Sequence, residues 1–190
     1  TDWFQAAKWG VFTHYMADTV IKGEEITVEK LNKAVDSFDV QGLANQLASV
    51  GAGYYVITLG QNSGYYCSPN ATYDGFVGYN PSHCSKRDLV ADLYAALHAK
   101  GIRLMVYLPA GAPDRDPVAC KALEWQAGKH PLWSYKDGKP AEEDPRLDSF
   151  QRKWEAVIRE WSSRWGAKVS GWWFDGCYYP DAMYRFPDPP

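Results

Sequence analysis

The sequence predicts an α/β fold with a parallel sheet, of the (β/α) barrel type with about four βα units, which is a half or truncated TIM barrel. Four apolar runs rich in β-branched and aromatic residues alternate with helical patterns, and this alternation is typical of parallel α/β sheets. Long loops also leave the carboxyl ends of the predicted strands. No linker interrupts the chain, so residues 1–190 are expected to form a single domain.

The four apolar runs are the predicted strands. They cover residues 9–14, 54–59, 103–108 and 169–174. Because each run is apolar on both faces, it suits a parallel strand that is covered on both sides.

Three helical patterns separate these strands. An i, i+3, i+4 rhythm predicts a helix after Phe38 that ends at Gly51. A second helix opens at Ser85, with Asp88 three positions later as in a capping box. The third, 144–166, opens with an Asp-Pro pair, which is a cap followed by a proline in the first turn.

Three long loops are predicted at residues 15–37, 60–84 and 109–143. Loops of this length in compact domains are usually functional. They begin at the carboxyl ends of the strands, where parallel α/β folds place their sites. We therefore expect the functional residues at this edge of the sheet.

Composition argues against several classes of function. The formal net charge is −3 and no Lys/Arg run occurs, so nucleic-acid binding is not expected. The chain has no apolar stretch of about 18 residues, so a membrane-spanning helix is not expected. The sequence has no glycine-rich phosphate loop and no zinc spacing among its 4 cysteines, so neither a cofactor nor a metal is predicted.

Two features of the composition leave alternatives open. The 9 Trp and 13 Tyr residues either stack on the apolar faces of sugars or form an aromatic core. Cys67 and Cys84 bracket one predicted loop and either pair in a disulfide or remain free.

The number of strands raises a question of completeness. A full (β/α)8 barrel takes about 250 residues, whereas this chain has 190 residues and four predicted strands. An open half-barrel exposes two strand edges and an apolar inner face, which favours association. The chain is therefore a fragment or truncated product, one of two chains that complete a barrel as a homo-oligomer, or a small sheet that covers its own inner face.

The strongest candidate for chemistry is Asp175, which directly follows the fourth predicted strand. A carboxylate at the exit of a buried strand lies where barrels carry their reactive groups. The preceding Trp173 can hold a sugar ring, and Gly176 permits a sharp turn. The alternative is that Asp175 only caps the next turn.

Four further candidates lie at the ends of the other strands. His14 and Tyr107 can hydrogen-bond a sugar hydroxyl, and Gln61 and Asn62 carry amides that both donate and accept. Singly, His14 is also explained as a structural histidine, and Gln61 and Asn62 as an ordinary polar turn. Together they converge on one rim if the strands are parallel.

At these residues the chain resembles glycoside hydrolase family 29, the α-L-fucosidases. The resemblance covers most of the chain, and its four motifs occur in the order of the family. Residues 7–14 resemble the family's Lys-Phe-Gly-Ile-Phe-x-His strand, and 38–39 with 51–58 resemble its next helix and strand. Residues 85–90 are similar to the segment that opens the following helix, and Trp173-Phe174-Asp175-Gly176 is similar to the nucleophile motif.

The resemblance implies a retaining glycosidase that works by double displacement without a metal or organic cofactor. It implies that Asp175 is the nucleophile and that His14 binds the sugar. Tyr107 lies near the position of a tyrosine on the third strand of the family.

The sequence departs from the family in three places. Gln61 and Asn62 stand where the family has a His-His pair that contacts sugar hydroxyls, which puts strict fucose specificity in doubt. The family's Glu-Trp pair after the first strand has no clear counterpart, and its general acid/base comes after residue 190. The carboxylates that can substitute within the chain are Glu24, Glu25, Asp181 and Asp188, and a partner chain is a further source.

The first hypothesis is therefore an α-L-fucosidase-like glycosidase acting on a carbohydrate substrate with terminal fucose or a related sugar. One alternative is a non-catalytic carbohydrate-binding half-barrel. Another is a half-barrel whose active site forms only by oligomerisation.

Overall fold

A four-stranded parallel sheet in the order β1-β2-β3-β6 forms the centre of the structure. The computed structural model describes residues 2–111, 113–125 and 148–176, and the backbone of 135–136 and 139–140. The strands are β1 (Gly10–Thr13), β2 (Tyr54–Thr58), β3 (Arg103–Pro109), β4 (Tyr135–Lys136), β5 (Lys139–Pro140) and β6 (Gly171–Asp175). The two short strands β4 and β5 form a separate antiparallel pair.

Helices connect the strands of the central sheet. They are α1 (Asp2–Ala7), α2 (Ala17–Val20), α3 (Val28–Asp36), α4 (Val40–Ser49), α5 (Ala71–Val77), α6 (Leu89–His98), α7 (Pro117–Leu123), α8 (Asp148–Trp165) and the 3-10 turn η1 (Gly166–Lys168). Across the described part of the chain, none of these helices is both long and apolar enough to cross a bilayer.

The four predicted strands are confirmed, with shifts of one or two residues at their ends. The third strand continues past Leu108 to Pro109, so Tyr107 lies inside the strand rather than at its end. The fourth strand ends on Asp175 itself, which therefore belongs to the sheet.

The first residues of the second and third predicted helices differ from the prediction or lie outside the described residues. The second helix begins at Leu89 and not at Ser85, because Asp88 is its N-cap and accepts the Ala91 amide at 3.1 Å. The Ser85 hydroxyl instead donates to the Arg87 carbonyl at 2.7 Å. The predicted Asp-Pro start of the third helix lies outside the described residues, within which α8 begins at Asp148.

The segments expected to be long loops contain the short helices α2, α3, α5 and α7. Side-chain caps begin three of them: Thr27, Asn70 and Asp116 each accept an amide of the first turn. Helices this short lack a long apolar period, so caps and tertiary contacts determine where they form.

The helices bury a core rich in tryptophan against one face of the sheet. Trp161 of α8 is fully buried, and its Nε1 donates to the Pro69 carbonyl at 2.9 Å. Its ring lies 5.4 Å from Tyr66 and 6.1 Å from Trp165 between centroids. Much of the aromatic content therefore has a structural explanation.

The Arg87-Asp88 pair explains one of the family-like motifs in structural terms. Besides capping α6, Asp88 accepts Nε1 of Trp165 at 3.0 Å. Arg87 donates to the Val35 carbonyl at 2.7 Å, at the end of α3. The motif thus joins α3, α6 and α8.

The opposite face of the sheet carries a second aromatic cluster. Side chains alternate along a strand, so Phe12, Tyr107 and Trp173 project from this face. The Phe12 ring lies 5.3 Å from the ring of Tyr107 and 5.3 Å from that of Trp173. Trp173 remains 49% exposed, so this face includes accessible apolar surface.

Cys67, Cys84 and Cys120 are free thiols, so Cys67 and Cys84 do not form a disulfide. All three are buried, and burial raises the pKa of Cys67 to about 12 and that of Cys120 to about 11. The thiols therefore act as core side chains and stay protonated at neutral pH.

Trp161→Ala is expected to lower the free energy of unfolding by about 3–5 kcal/mol, because it leaves a cavity in the α8 core. Urea denaturation monitored by circular dichroism measures the change. The matched control is Trp9→Ala, since Trp9 is 43% exposed and its loss should cost about 1 kcal/mol or less. Equal losses for the two variants would contradict this assignment of the core.

Candidate active site

Asp175 lies at the carboxyl end of β6, with both carboxylate oxygens hydrogen-bonded. The Tyr107 hydroxyl donates to Oδ2 at 2.6 Å, and the Gly176 amide donates to Oδ1 at 2.8 Å. Gly176 has a φ of +88°, so the chain turns immediately after the carboxylate in a conformation that favours glycine. These contacts fix the orientation of the Asp175 side chain.

Gln61 extends this arrangement toward the loop after β2. Its Nε2 donates to the Tyr107 hydroxyl at 3.1 Å, while that hydroxyl donates to Asp175. Three residues from three neighbouring segments are thus joined in one hydrogen-bonded chain. Such chains polarise their members and hold them in a single geometry.

His14 lies beside Tyr107 on the same face of the sheet. Its Nδ1 is 3.1 Å from the Thr58 hydroxyl, and its ring meets the Tyr107 ring edge-on at 5.2 Å between centroids. The imidazole is exposed, which leaves it accessible to a ligand.

A cavity of about 200 Å³ opens next to Asp175. Gln61, Asn62 and Tyr107 line it together with Asp114 and Trp125. Four of the candidates from the sequence, Asp175 included, therefore border one space. A cavity that combines an aromatic wall with a few polar groups is typical of a small-molecule site.

Trp173 and His14 do not line this cavity. Trp173 lies on the same face as Asp175 but two residues earlier in the strand, where it stacks on Phe12 with an interplanar angle of 28°. The Trp173 ring thus belongs to the aromatic cluster of Phe12 and Tyr107 on this face.

The carboxylates considered as substitutes for an acid/base are not brought to this cavity within the described residues. Glu24 is exposed and forms an ion pair with Lys30 at 2.9 Å, and Glu25 is also exposed. Asp181 and Asp188 lie outside the described residues.

A buried cluster centred on Asp116 was not predicted. Asp116 is 5% exposed and accepts the Tyr79 hydroxyl at 2.7 Å and the Ala119 amide at 3.0 Å. His83 is stacked between Tyr65 and Tyr79, and its Nδ1 is 3.7 Å from Asp116 Oδ2, too far for a hydrogen bond. The cluster joins the loop after β2 to the start of α7.

This environment acts on the Asp116 carboxyl in two directions. Burial raises its pKa, but His83, the Ala119 amide and the Tyr79 hydroxyl together hold the pKa below its ordinary value. The ionised form is therefore the one that the fold stabilises. A local signal existed in the sequence: Asp116-Pro117 is a cap followed by a proline in the first helical turn.

Within residues 2–111, 113–125 and 148–176, no three His, Cys, Asp or Glu side chains gather closely enough to hold a metal ion. Hydroxyl, amide and carboxylate groups line the cavity, and the His14 imidazole contacts the Tyr107 ring without lining it. Groups of this kind bind a polar, uncharged ligand such as a sugar through hydrogen bonds.

A parallel sheet whose carboxyl edge presents these groups around a cavity defines an α/β protein with a small-molecule site at its strand ends. The chain belongs to the alpha-L-fucosidase family, because the sequence profile of that family matches residues 27–184. No curated protein sequence matches the chain.

Solved structures share the fold. An alpha-L-fucosidase of glycoside hydrolase family 29 from Bacteroides thetaiotaomicron is 20% identical, with a TM-score of 0.59 over 91% of this chain and 40% of that chain. A bacterial fucosidase with a monovalent iminocyclitol inhibitor is 20% identical, with a TM-score of 0.58 over 92% of this chain and 40% of that one. A glycoside hydrolase 29 family member from an unknown rumen bacterium is 20% identical, with a TM-score of 0.57 over 91% and 26%.

The chain thus spans at most 40% of the length of these three proteins. At 20% identity, the likeness establishes the fold and leaves the residue roles to be argued from this chain.

Asp116→Asn is expected to lower the free energy of unfolding by about 1 kcal/mol at pH 6–7, because it removes a charge-assisted hydrogen bond but keeps an acceptor at Oδ1. Since the folded-state pKa of Asp116 is lowered, this stability is present above the ordinary Asp pKa of about 3.9. It is lost as the pH falls through the folded-state value.

Urea titrations of both proteins between pH 7 and pH 2 measure the difference. It should shrink as the medium becomes acidic, and a difference that stays constant or grows below pH 4 would contradict the account. Asp36→Asn, at an exposed position on α3, controls for the loss of one negative charge.

Proposed function

We propose that the chain carries the nucleophile half of the active site of a retaining glycosidase that acts on terminal fucose or a closely related sugar. The hydrogen-bonded chain from Gln61 through Tyr107 to Asp175 is the observation that carries this proposal. It holds a carboxylate in a fixed direction beside a cavity lined by hydroxyl-binding groups. Membership of the alpha-L-fucosidase family supplies the class of substrate.

The proposed reaction has two displacements. The Asp175 carboxylate attacks the anomeric carbon and the glycosidic bond breaks. A carboxylic acid, not assigned to a residue here, donates a proton to the leaving oxygen. The glycosyl ester on Asp175 then reacts with water, whose proton returns to the same acid/base. The ester bond breaks and the sugar leaves with its original anomeric configuration.

The Tyr107 hydroxyl has a defined role in the first displacement. It donates to Oδ2 of Asp175 while the carboxylate is charged, and this bond weakens when the negative charge moves to the leaving group. Because Gln61 donates to the same hydroxyl, the Tyr107 proton remains directed at Asp175. Tyr107 is therefore a positioning residue for the nucleophile.

The remaining candidates are proposed to bind the sugar. His14 presents an exposed imidazole at the rim, and Gln61 and Asn62 present amides to the cavity. Trp173 offers an exposed ring on the same face of the sheet, on which a sugar can stack. Amides at 61 and 62, where the family has a histidine pair, recognise hydroxyls with different donor and acceptor patterns, which favours a sugar related to fucose over fucose alone.

We further propose that the sheet is an arc of a (β/α) barrel. Its strands are parallel, adjacent in chain order and connected through helices, as in the first half of such a barrel. The helices pack on one face, and the opposite face carries Phe12, Tyr107 and Trp173 as inward-pointing side chains do.

A second candidate is a site completed by another copy of the chain. The exposure of Trp173 (49%) on the inner face favours it, because exposed apolar surface marks contact regions. In this case, the acid/base comes from the partner.

Asp175→Gly is expected to lose hydrolysis of an aryl glycoside by at least about 10³-fold, because the attacking group is absent. In sodium azide, the azide ion takes the place of the carboxylate and displaces the aryl group directly. The expected product is a glycosyl azide of inverted configuration, identified by NMR.

Hydrolysis at the wild-type rate by Asp175→Gly would contradict the nucleophile assignment. If the wild-type protein binds the sugar but does not hydrolyse it, its function is carbohydrate binding and not catalysis. Specific activity that rises with protein concentration would favour the second candidate, in which copies associate.

Tyr107→Phe is expected to lower kcat/KM by about 10- to 100-fold, since a hydrogen bond to a charged group contributes about 1.5–3 kcal/mol. Tyr15→Phe is the matched control: the Tyr15 hydroxyl is buried and has no hydrogen-bond partner in the described part of the chain. Steady-state kinetics on an aryl glycoside compares the two. Equal effects would show that the Tyr107 hydroxyl does not position Asp175.

A further inference from the structure

The cavity beside Asp175 holds a second carboxylate to which the proposed mechanism gives no role. Asp114 lies between β3 and α7 and lines the cavity together with Asp175, Gln61 and Asn62. Its side chain is exposed. The carboxylate is therefore open to a ligand that occupies the same space.

Trp125 fixes the orientation of this carboxylate. Its indole Nε1 donates to Asp114 Oδ1. The indole is only 8% exposed and packs 4.6 Å from the Phe150 ring of α8 between centroids. The donor is thus held by the core, and a core-held donor restricts the rotation of an otherwise surface side chain.

The position of the indole itself depends on a glycine. A Cβ added at Gly111 would lie 3.0 Å from a carbon of the Trp125 ring, which is closer than ordinary van der Waals contact. Gly111 and Trp125 both line the cavity. The wall next to Asp114 is therefore an aromatic surface brought close to the backbone.

The loop that carries Asp114 is anchored on its other side as well. The amide of Arg115 donates to the Asn62 carbonyl at 3.0 Å, and the Arg115 guanidinium pairs with Asp18 at 3.2 Å. The next residue, Asp116, is the buried cap of α7. Asp114 thus lies in a loop whose backbone is hydrogen-bonded to the segment that carries Gln61 and Asn62.

We propose that Asp114 is a substrate-binding residue that accepts hydrogen bonds from neighbouring hydroxyl groups of the saccharide, with the Trp125 ring as an apolar surface beside it. This proposal rests on the proposed function and names a further specificity determinant of the same site. A carboxylate has about four lone-pair positions and donates nothing. With one position taken by the indole, Asp114 selects ligands that present adjacent hydroxyl donors.

The chemistry of the site favours this role. Sugars carry hydroxyl donors around an apolar ring, and a carboxylate next to an aromatic wall matches both features. A hydrogen bond from a hydroxyl to a charged acceptor is stronger than one to an amide. Asp114 therefore favours sugars with hydroxyl donors at this position more strongly than the amides of Gln61 and Asn62 do.

The test measures sugar binding by calorimetry in an Asp175→Asn background, which separates binding from turnover. The probes are methyl α-L-fucoside and its analogues that each lack one hydroxyl. Adding Asp114→Asn is expected to raise Kd for the parent sugar about 10- to 100-fold. For the deoxy analogue that lacks a hydroxyl bound by Asp114, Kd should be nearly the same with and without the Asp114→Asn change. Asp36→Asn is the matched control and should leave Kd unchanged.

The outcomes are distinguishable. If the Asp175→Asn protein binds none of the sugars, the proposed function and this inference fall together. If it binds them and Asp114→Asn changes nothing, the inference is wrong while the proposed function stands. If Asp114→Gly, made in the otherwise wild-type chain, loses turnover that azide restores, Asp114 is the acid/base and the binding role is overturned.

Discussion

The hydrogen bond from the Tyr107 hydroxyl to Asp175 is the interaction on which the rest of the site depends. It exists because β3 and β6 pair in parallel, with Tyr107 beside Trp173 and Pro109 beside Asp175. A shift of one residue in this register would turn one of the two side chains to the other face of the sheet. The helical core that fixes the register therefore also fixes the nucleophile, and His14 and Gln61 reach Asp175 through Tyr107.

Much of this arrangement could be predicted from sequence, for a geometric reason. Apolar runs such as 54–59 and 103–108 mark buried parallel strands, and parallel strands bring their carboxyl ends to one edge. Asp175, Tyr107 and Gln61 were predicted on this basis, and the structure brings them into contact. The role of the aromatic residues was ambiguous. Tryptophans at helical spacing predict a buried helix face, whereas a tryptophan on a strand lies on either face of the sheet.

The residues that sequence analysis missed all lie in the segments that were expected to be loops. Asp114 and Trp125 are 11 positions apart, and His83 meets Asp116 from the segment before α6. No periodicity predicts such contacts, because they depend on how irregular segments fold against one another. The cap signal at Asp116-Pro117 would have located α7, but not the histidine and tyrosines that surround its first residue. Loops carry many of the residues that determine specificity in such folds, and their conformation is the part of the structure that sequence patterns predict least well.

The central claim is that Asp175 forms a covalent bond to the sugar, and peptide mapping by mass spectrometry tests it most directly. A 2-deoxy-2-fluoro glycosyl fluoride of the fucose type has a reactive leaving group and gives a glycosyl ester that hydrolyses slowly. After incubation with the wild-type chain, the account predicts one added fluoro-sugar, attached at Asp175. Attachment at another residue, or an unmodified chain under conditions in which the same protein cleaves an aryl glycoside, would contradict it.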